Sequence, residues 1–183
     1  MTARSAVRRA EQVLAEAGAA GPPVDAEAIA LRFGLDVVFQ DLPRDTSAVI
    51  VRTSNGRQII GVNQAHSVTR QRFSIAHEIG HALLHLPPEP PESGDAVVDK
   101  PIEVLFRDGI ASMGVDKREI EANAFAAELL MPEKILRPHF RDLIRASGRR
   151  STDALVRELA GVYAVSTQAM GFRLANLNLI DPA

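Results

Sequence analysis

The 183-residue sequence has no Cys, no Trp and a single Tyr, and no run in it approaches the roughly 20 apolar residues of a membrane-spanning helix. Without Cys there can be no disulfide, no thiolate metal site and no cysteine nucleophile, so any metal must be held by His and carboxylates. Residues 1–20 carry Arg4, Arg8, Arg9, Glu11 and Glu16 where a signal peptide needs an apolar stretch, which leads us to expect a cytoplasmic protein with no membrane partner. Charge of one sign is also missing: 21 basic and 23 acidic residues leave a net charge of −2. A nucleic acid would have to be held by a local patch, because the chain as a whole offers no attractive field. What is present is ordinary for a folded chain, with 46% hydrophobic and 24% charged residues, and the length suits one domain or one domain with a small appendage.

Apolar spacing predicts helices over residues 4–17 and 25–33, the second capped by Asp25 and released at Gly34. Three short β-branched runs follow, at residues 35–39, 48–51 and 58–62. The last two flank Asn55-Gly56, a strong hairpin signal because both residues tolerate positive φ, and the three together predict a small antiparallel sheet. Residues 68–86 read as one long helix with apolar side chains around nearly its whole circumference, hence a buried one. A Pro-, Gly- and Asp-rich stretch over residues 87–118 is interrupted by a candidate edge strand at 102–106. Further helices are expected over residues 117–131, 151–163 and 166–176, with Pro132 ending the first or opening the next segment. The order of elements argues for an α+β fold.

His77-Glu78-Ile79-Gly80-His81 is an H-E-x-x-H motif, expected by chance in roughly 1% of chains of this composition. On a helix the two His lie one turn apart on one face, so both imidazoles reach one metal ion, and Glu78 stands beside them to accept a proton from water. Two core histidines satisfied by carbonyls would be the bland alternative. Burying them with a Glu and no ion, however, costs several kcal/mol, on the order of one unpaired polar group each. His85 extends the row, but it lies about 12 Å along the axis from His77, too far to share the ion, and is expected to cap the helix or meet solvent.

A third ligand must come from elsewhere, since the positions where a metzincin carries Gly and His are here Leu84 and Pro87, neither of which can bind. Residues 117–131 offer Glu119, Glu121 and Glu128. Glu119 is preferred because it shares its face with Ala122, Asn123 and Ala126, small residues that allow close approach to the His helix and, in Asn123, a hydrogen-bond partner for a ligand. Glu121, on the face of Phe125 and Glu128, is the alternative. Two His and one Glu leave an open position on the ion, as catalytic sites do, and such a set with Glu78 as general acid and base suits peptide hydrolysis. Tyr163, His139, His66 and Arg107 are the candidates to stabilise the oxyanion, and the sequence does not choose among them.

The segments RQRFSIAHEIGHALLH and EIEANAFAAELLMP resemble the ImmA/IrrE family, and the likeness extends more weakly to the N-terminal elements and to VSTQAMGFRLANLNLI near the end. The resemblance implies a zincin-like metallopeptidase domain over residues 1–137 and a helical, helix-turn-helix-like subdomain over 138–183. It implies His77, His81 and Glu119 as ligands of one Zn2+, Glu78 as the catalytic residue, and a helix-turn-helix transcriptional repressor or antitoxin as the protein cleaved. Many relatives carry an Xre-type DNA-binding domain ahead of the peptidase. Here about 65 residues precede the His helix and read as peptidase scaffold, so the substrate is expected on a separate chain.

Two other readings compete. The helices at 151–163 and 166–176, joined by Ala164-Val165, have the form of a DNA-reading helix-turn-helix, but only Arg173, with Arg149, Arg150 and Arg157 nearby, would meet phosphate. Packing through Leu155, Leu159, Met170 and Leu174 explains them equally well. The chain would otherwise be a catalytically silent metal-binding regulator acting by protein or DNA interaction, although binding a metal does not by itself require Glu78. Manganese and iron suit the same ligand set as zinc.

Overall fold

The computed structural model describes residues 2–53, 56–85, 117–147 and 151–181. It is an α+β fold in which the described residues form seven helices and a three-stranded sheet: α1 (Ala3–Ala17), α2 (Ala26–Arg32), β1 (Leu35–Gln40), β2 (Ala48–Arg52), β3 (Gln58–Asn63), α3 (Val68–His85), α4 (Lys117–Leu130), α5 (Glu133–Ser147), α6 (Thr152–Tyr163) and α7 (Thr167–Asn176). The capping chemistry accounts for several helix starts. Asp25, Ser151 and Ser166 each accept from the backbone N–H three residues on, which satisfies a donor the first turn cannot pair. No helix among the described residues is long and apolar enough to cross a membrane. The expected edge strand at 102–106 and Arg107 lie outside the described residues.

The sheet corrects one expectation, because it is mixed and not wholly antiparallel. β2 and β3 do form the antiparallel hairpin, closed by Thr53 N–H donating to the Arg57 carbonyl at 2.8 Å with Gly56 at φ 83°. β1, however, pairs in parallel with β3, giving the order β1-β3-β2. The link between β1 and β2 is held at the end of β3 by Asn63, whose buried side-chain amide donates to the carbonyls of Leu42 and Pro43 at 3.2 Å and of Thr46 at 2.9 Å. β3 is the central strand, and Ile60 and Val62 are fully buried.

α3 sits between the sheet and α4, touching β2 and β3 on one side and α4 on the other, while α1 covers the remaining face of α4. Ile75 and Ile79 of α3 and Phe125 and Leu129 of α4 are completely buried, each worth about 1.5–3 kcal/mol of apolar burial. The approach of these two helices is set at Gly80. A Cβ there would stand 3.2 Å from the Ala122 Cα and the Phe125 ring and 3.3 Å from the Ala122 carbonyl oxygen, so the absent side chain is what lets α4 lie against the His-bearing turn.

α5 is one helix through Pro138, so the division proposed at residues 137 and 138 falls inside it. The C-terminal helices pack through Leu155, Leu159, Tyr163, Met170 and Leu174, all buried. Polar clamps tie them to the rest: Arg173 is buried, pairs with Glu128 of α4 and donates to the Met131 carbonyl at 3.1 Å. Arg72 of α3 donates to the carbonyls of Ala164 at 3.1 Å and Val24 at 2.7 Å.

Candidate metal centre

Helical spacing brings the Nε2 atoms of His77 and His81 to 2.9 Å from each other on the buried side of α3. The close approach at Gly80 sets the first turn of α4 opposite them. Glu119 there lies with one oxygen 3.2 Å from His77 Nε2 and the other 3.0 Å from His81 Nε2. One ligand atom from each of the three residues lies within 4.8 Å of the others, so the group could hold a metal ion. The spacing suits zinc, since tetrahedral bonds of about 2.0–2.1 Å separate donor atoms by about 3.3 Å. The tautomer suits it too. Asn123 Oδ1 lies 3.1 Å from His77 Nδ1 and can accept a hydrogen bond from an Nδ1–H, which leaves the Nε2 lone pair for an ion.

Glu78 is buried beside this group, with 9% of its surface exposed. Burial pushes its carboxyl up to about 7; neighbouring Glu119 pushes the same way and His77 pulls it back. Hydrogen bonds from His77 and His81 hold Glu119 well below the usual carboxylate range. His81 is lowered by burial despite Glu119, whereas for His77 burial is outweighed by Glu119, Glu78 and Asn123, and its pKa rises.

The remaining sequence candidates lie elsewhere. Glu121 is buried one helical face away, its carboxylate 3.7 Å from His85 Nε2, and is not part of the converging group. Of the two expectations for His85, capping the helix or meeting solvent, the second does not hold: its side chain is 7% exposed and its ring lies 3.3 Å from the Arg118 carbonyl, joining the end of α3 to the start of α4. Glu128 serves Arg173. Tyr163 is fully buried against His139 in the C-terminal helices, with ring centroids 5.9 Å apart, and burial raises its phenol to about 12. His66 sits 3.3 Å from the Arg44 carbonyl. None of these three lines the cleft over the metal group.

That cleft, of about 450 Å³, runs between α3 and the β2 edge. Its charged lining beyond the metal group and Glu78 is Asp45 and Arg70. Arg70 was missed from the sequence, yet it carried a signal: it lies seven residues before His77, and that offset returns to the same helix face. β2 contributes its outer edge. Ser47, at the strand's start, and Thr53 exchange backbone bonds with the β3 side, so the alternate residues Ala48, Ile50 and Arg52 turn their N–H and C=O groups outward. Among the described residues no strand pairs with that edge.

The DNA-reading alternative meets an obstacle in α7. Its one cation, Arg173, is buried on Glu128, while it exposes a large hydrophobic side chain, Phe172, at 64%.

Sequence comparison matches residues 30–175 to the peptidase family described as the IrrE N-terminal-like domain. No curated protein matches. Among solved structures, a transcriptional regulator from Mycobacterium tuberculosis is similar, with 19% identity and a TM-score of 0.57 over 94% of this chain. The chain spans 46% of that structure's length, and at this identity the likeness concerns the fold.

Proposed function

We propose that this chain, which belongs to the IrrE N-terminal-like domain family, is a zinc-dependent endopeptidase that cleaves a helix-turn-helix transcriptional repressor or antitoxin. The observation that carries the reading is the convergence of His77, His81 and Glu119 beside the buried Glu78. The repressor as substrate rests on the family resemblance, and a transcriptional regulator among similar structures is in keeping with it.

When bound, zinc supplies an electrophile for the scissile carbonyl and acidifies the attacking water. The protein supplies the rest. His77 and His81 present neutral imidazole nitrogens, the former fixed by Asn123, and Glu119 contributes a carboxylate that stays ionised. Glu78 takes the water proton and passes it to the leaving amine. Glu78 stands buried beside the ligand group, within reach of water held there, which is the placement both halves of that transfer need. The open edge of β2 holds the substrate in extended form by strand addition, main chain to main chain.

The test is metal content by elemental analysis after mild dialysis, followed by incubation with purified helix-turn-helix repressors. About one zinc per chain is expected in the wild type, lost in Glu119→Ala and kept in Glu121→Ala, with repressor cleavage that Glu78→Gln abolishes. Failure to take up added zinc overturns the proposal. A wild type that binds zinc but leaves every repressor intact supports the silent regulator instead.

A further inference from the structure

The reacting groups occupy one end of the cleft, and Arg70 stands about 10 Å away along α3, two helical turns before His77. Its guanidinium is anchored although the side chain is exposed. Both Nε, at 3.0 Å, and Nη2, at 2.8 Å, donate to the single Ser47 Oγ, which fixes the group against the start of β2. Its other N–H groups have no hydrogen-bond partner among the described residues, and no carboxylate among them lies within ion-pair distance of it. Arg72, two residues on, makes the contrast, with its guanidinium spent on the Ala164 and Val24 carbonyls.

Arg70 also stands in a wall common to two cavities. With Phe73 and Asn123 it lines both the cleft and a neighbouring groove of about 690 Å³ that continues toward Ser166 and Phe172 of α7. A chain lying in the cleft and leaving it toward α7 must pass this side chain. At about 3.3 Å per residue of extended peptide, the 10 Å from His77 corresponds to about three residues.

We propose that Arg70 is a specificity-determining residue that takes the carboxylate of an Asp or Glu side chain on the bound peptide, about three residues from the scissile bond. The proposal rests on the peptidase reading for the peptide nature of the ligand. Ser47 occupies the Nε side of the fork and leaves the end bearing Nη1 and Nη2, which matches two carboxylate oxygens. The hydroxyl accepts without neutralising, so the positive charge is kept for the ligand.

The experiment equilibrates the zinc-loaded full chain carrying Glu78→Gln with a random octapeptide library and sequences the bound fraction by mass spectrometry. Bound peptides are expected to be enriched in Asp and Glu over Asn and Gln by about tenfold, the equivalent of one charge-assisted pair. Adding Arg70→Gln should abolish the enrichment, and Arg70→Glu should reverse it toward Lys and Arg. A purely structural role for Arg70 would not produce that reversal. A bound fraction without acidic enrichment, an enrichment indifferent to Arg70→Glu, or no bound peptide at all overturns the proposal. The peptidase reading fails separately, if the wild type cleaves none of the acidic peptides that the Glu78→Gln chain retains.

Discussion

Glu78 is held where its charge is costly, and removing that charge should stabilise the metal-free fold. Its carboxyl is pushed from 4.5 to about 7, chiefly by burial. Between those two values the folded chain keeps a proton that the unfolded chain has lost. Stability therefore falls as pH rises through the interval and levels off above about 7. Glu78→Gln keeps the shape without the ionisation. The variant should then exceed the wild type by about 3 kcal/mol at pH 8, and by less than about 1 kcal/mol at pH 5, since each pH unit across the interval costs the wild type about 1.4 kcal/mol. Urea unfolding of both chains with a chelator present, at the two pH values, measures the difference. Equal stability at pH 8, or a gain that does not shrink on acidification, would refute the account of Glu78 as a buried carboxylate kept for chemistry at the expense of the fold.

Asn123→Ala removes the acceptor that fixes His77, and zinc affinity measured by chelator competition should fall about 10–100-fold with the fold intact; unchanged affinity would mean the bond has no such role. Gly80→Ala gains about 1 kcal/mol of helix propensity but drives a methyl against the α4 backbone, a clash of about 1–3 kcal/mol. The net cost of up to about 2 kcal/mol should lower the thermal midpoint by at most about 8 °C while weakening zinc binding, because Glu119 moves with α4; zinc binding as tight as in the wild type would contradict that coupling. Arg173→Met leaves Glu128 buried without its counter-charge, with only the Glu133 N–H donating to it, and denaturant unfolding should show a loss of about 3 kcal/mol, most of it recovered when Glu128→Leu is added. A loss under about 1 kcal/mol would show that the pair does not anchor α7.

Much of this architecture was legible in the sequence because its signals are local. Asp25, Ser151 and Ser166 announce helix starts through side chains that bond within three residues, and the H-E-x-x-H spacing alone places two imidazoles on one face. Asn55-Gly56 implied the hairpin in the same way. α5 was not among the expected helices, yet Leu136, Phe140 and Leu143 keep helical spacing through Pro138 and are drawn into or against the core.

The parts decided by tertiary structure each required a partner far along the chain. β1 pairs in parallel with β3, and the link that allows it is held by the Asn63 amide reaching three carbonyls from 17 to 21 residues away, which no strand periodicity encodes. Helix spacing left Glu119 and Glu121 as open choices, and the rotation of α4 against α3, set where Gly80 meets Ala122, turned Glu119 toward the two His and Glu121 toward His85. Arg173 reads as a cation on a candidate recognition helix, and only packing shows it buried on Glu128. The sequence by itself determined which residues could form a metal site, since periodicity and residue chemistry are properties of a few neighbouring positions. Which acid completes that site, and which arginine stands beside it, depended on how two helices and a strand edge meet, and that is fixed by close packing across the whole core.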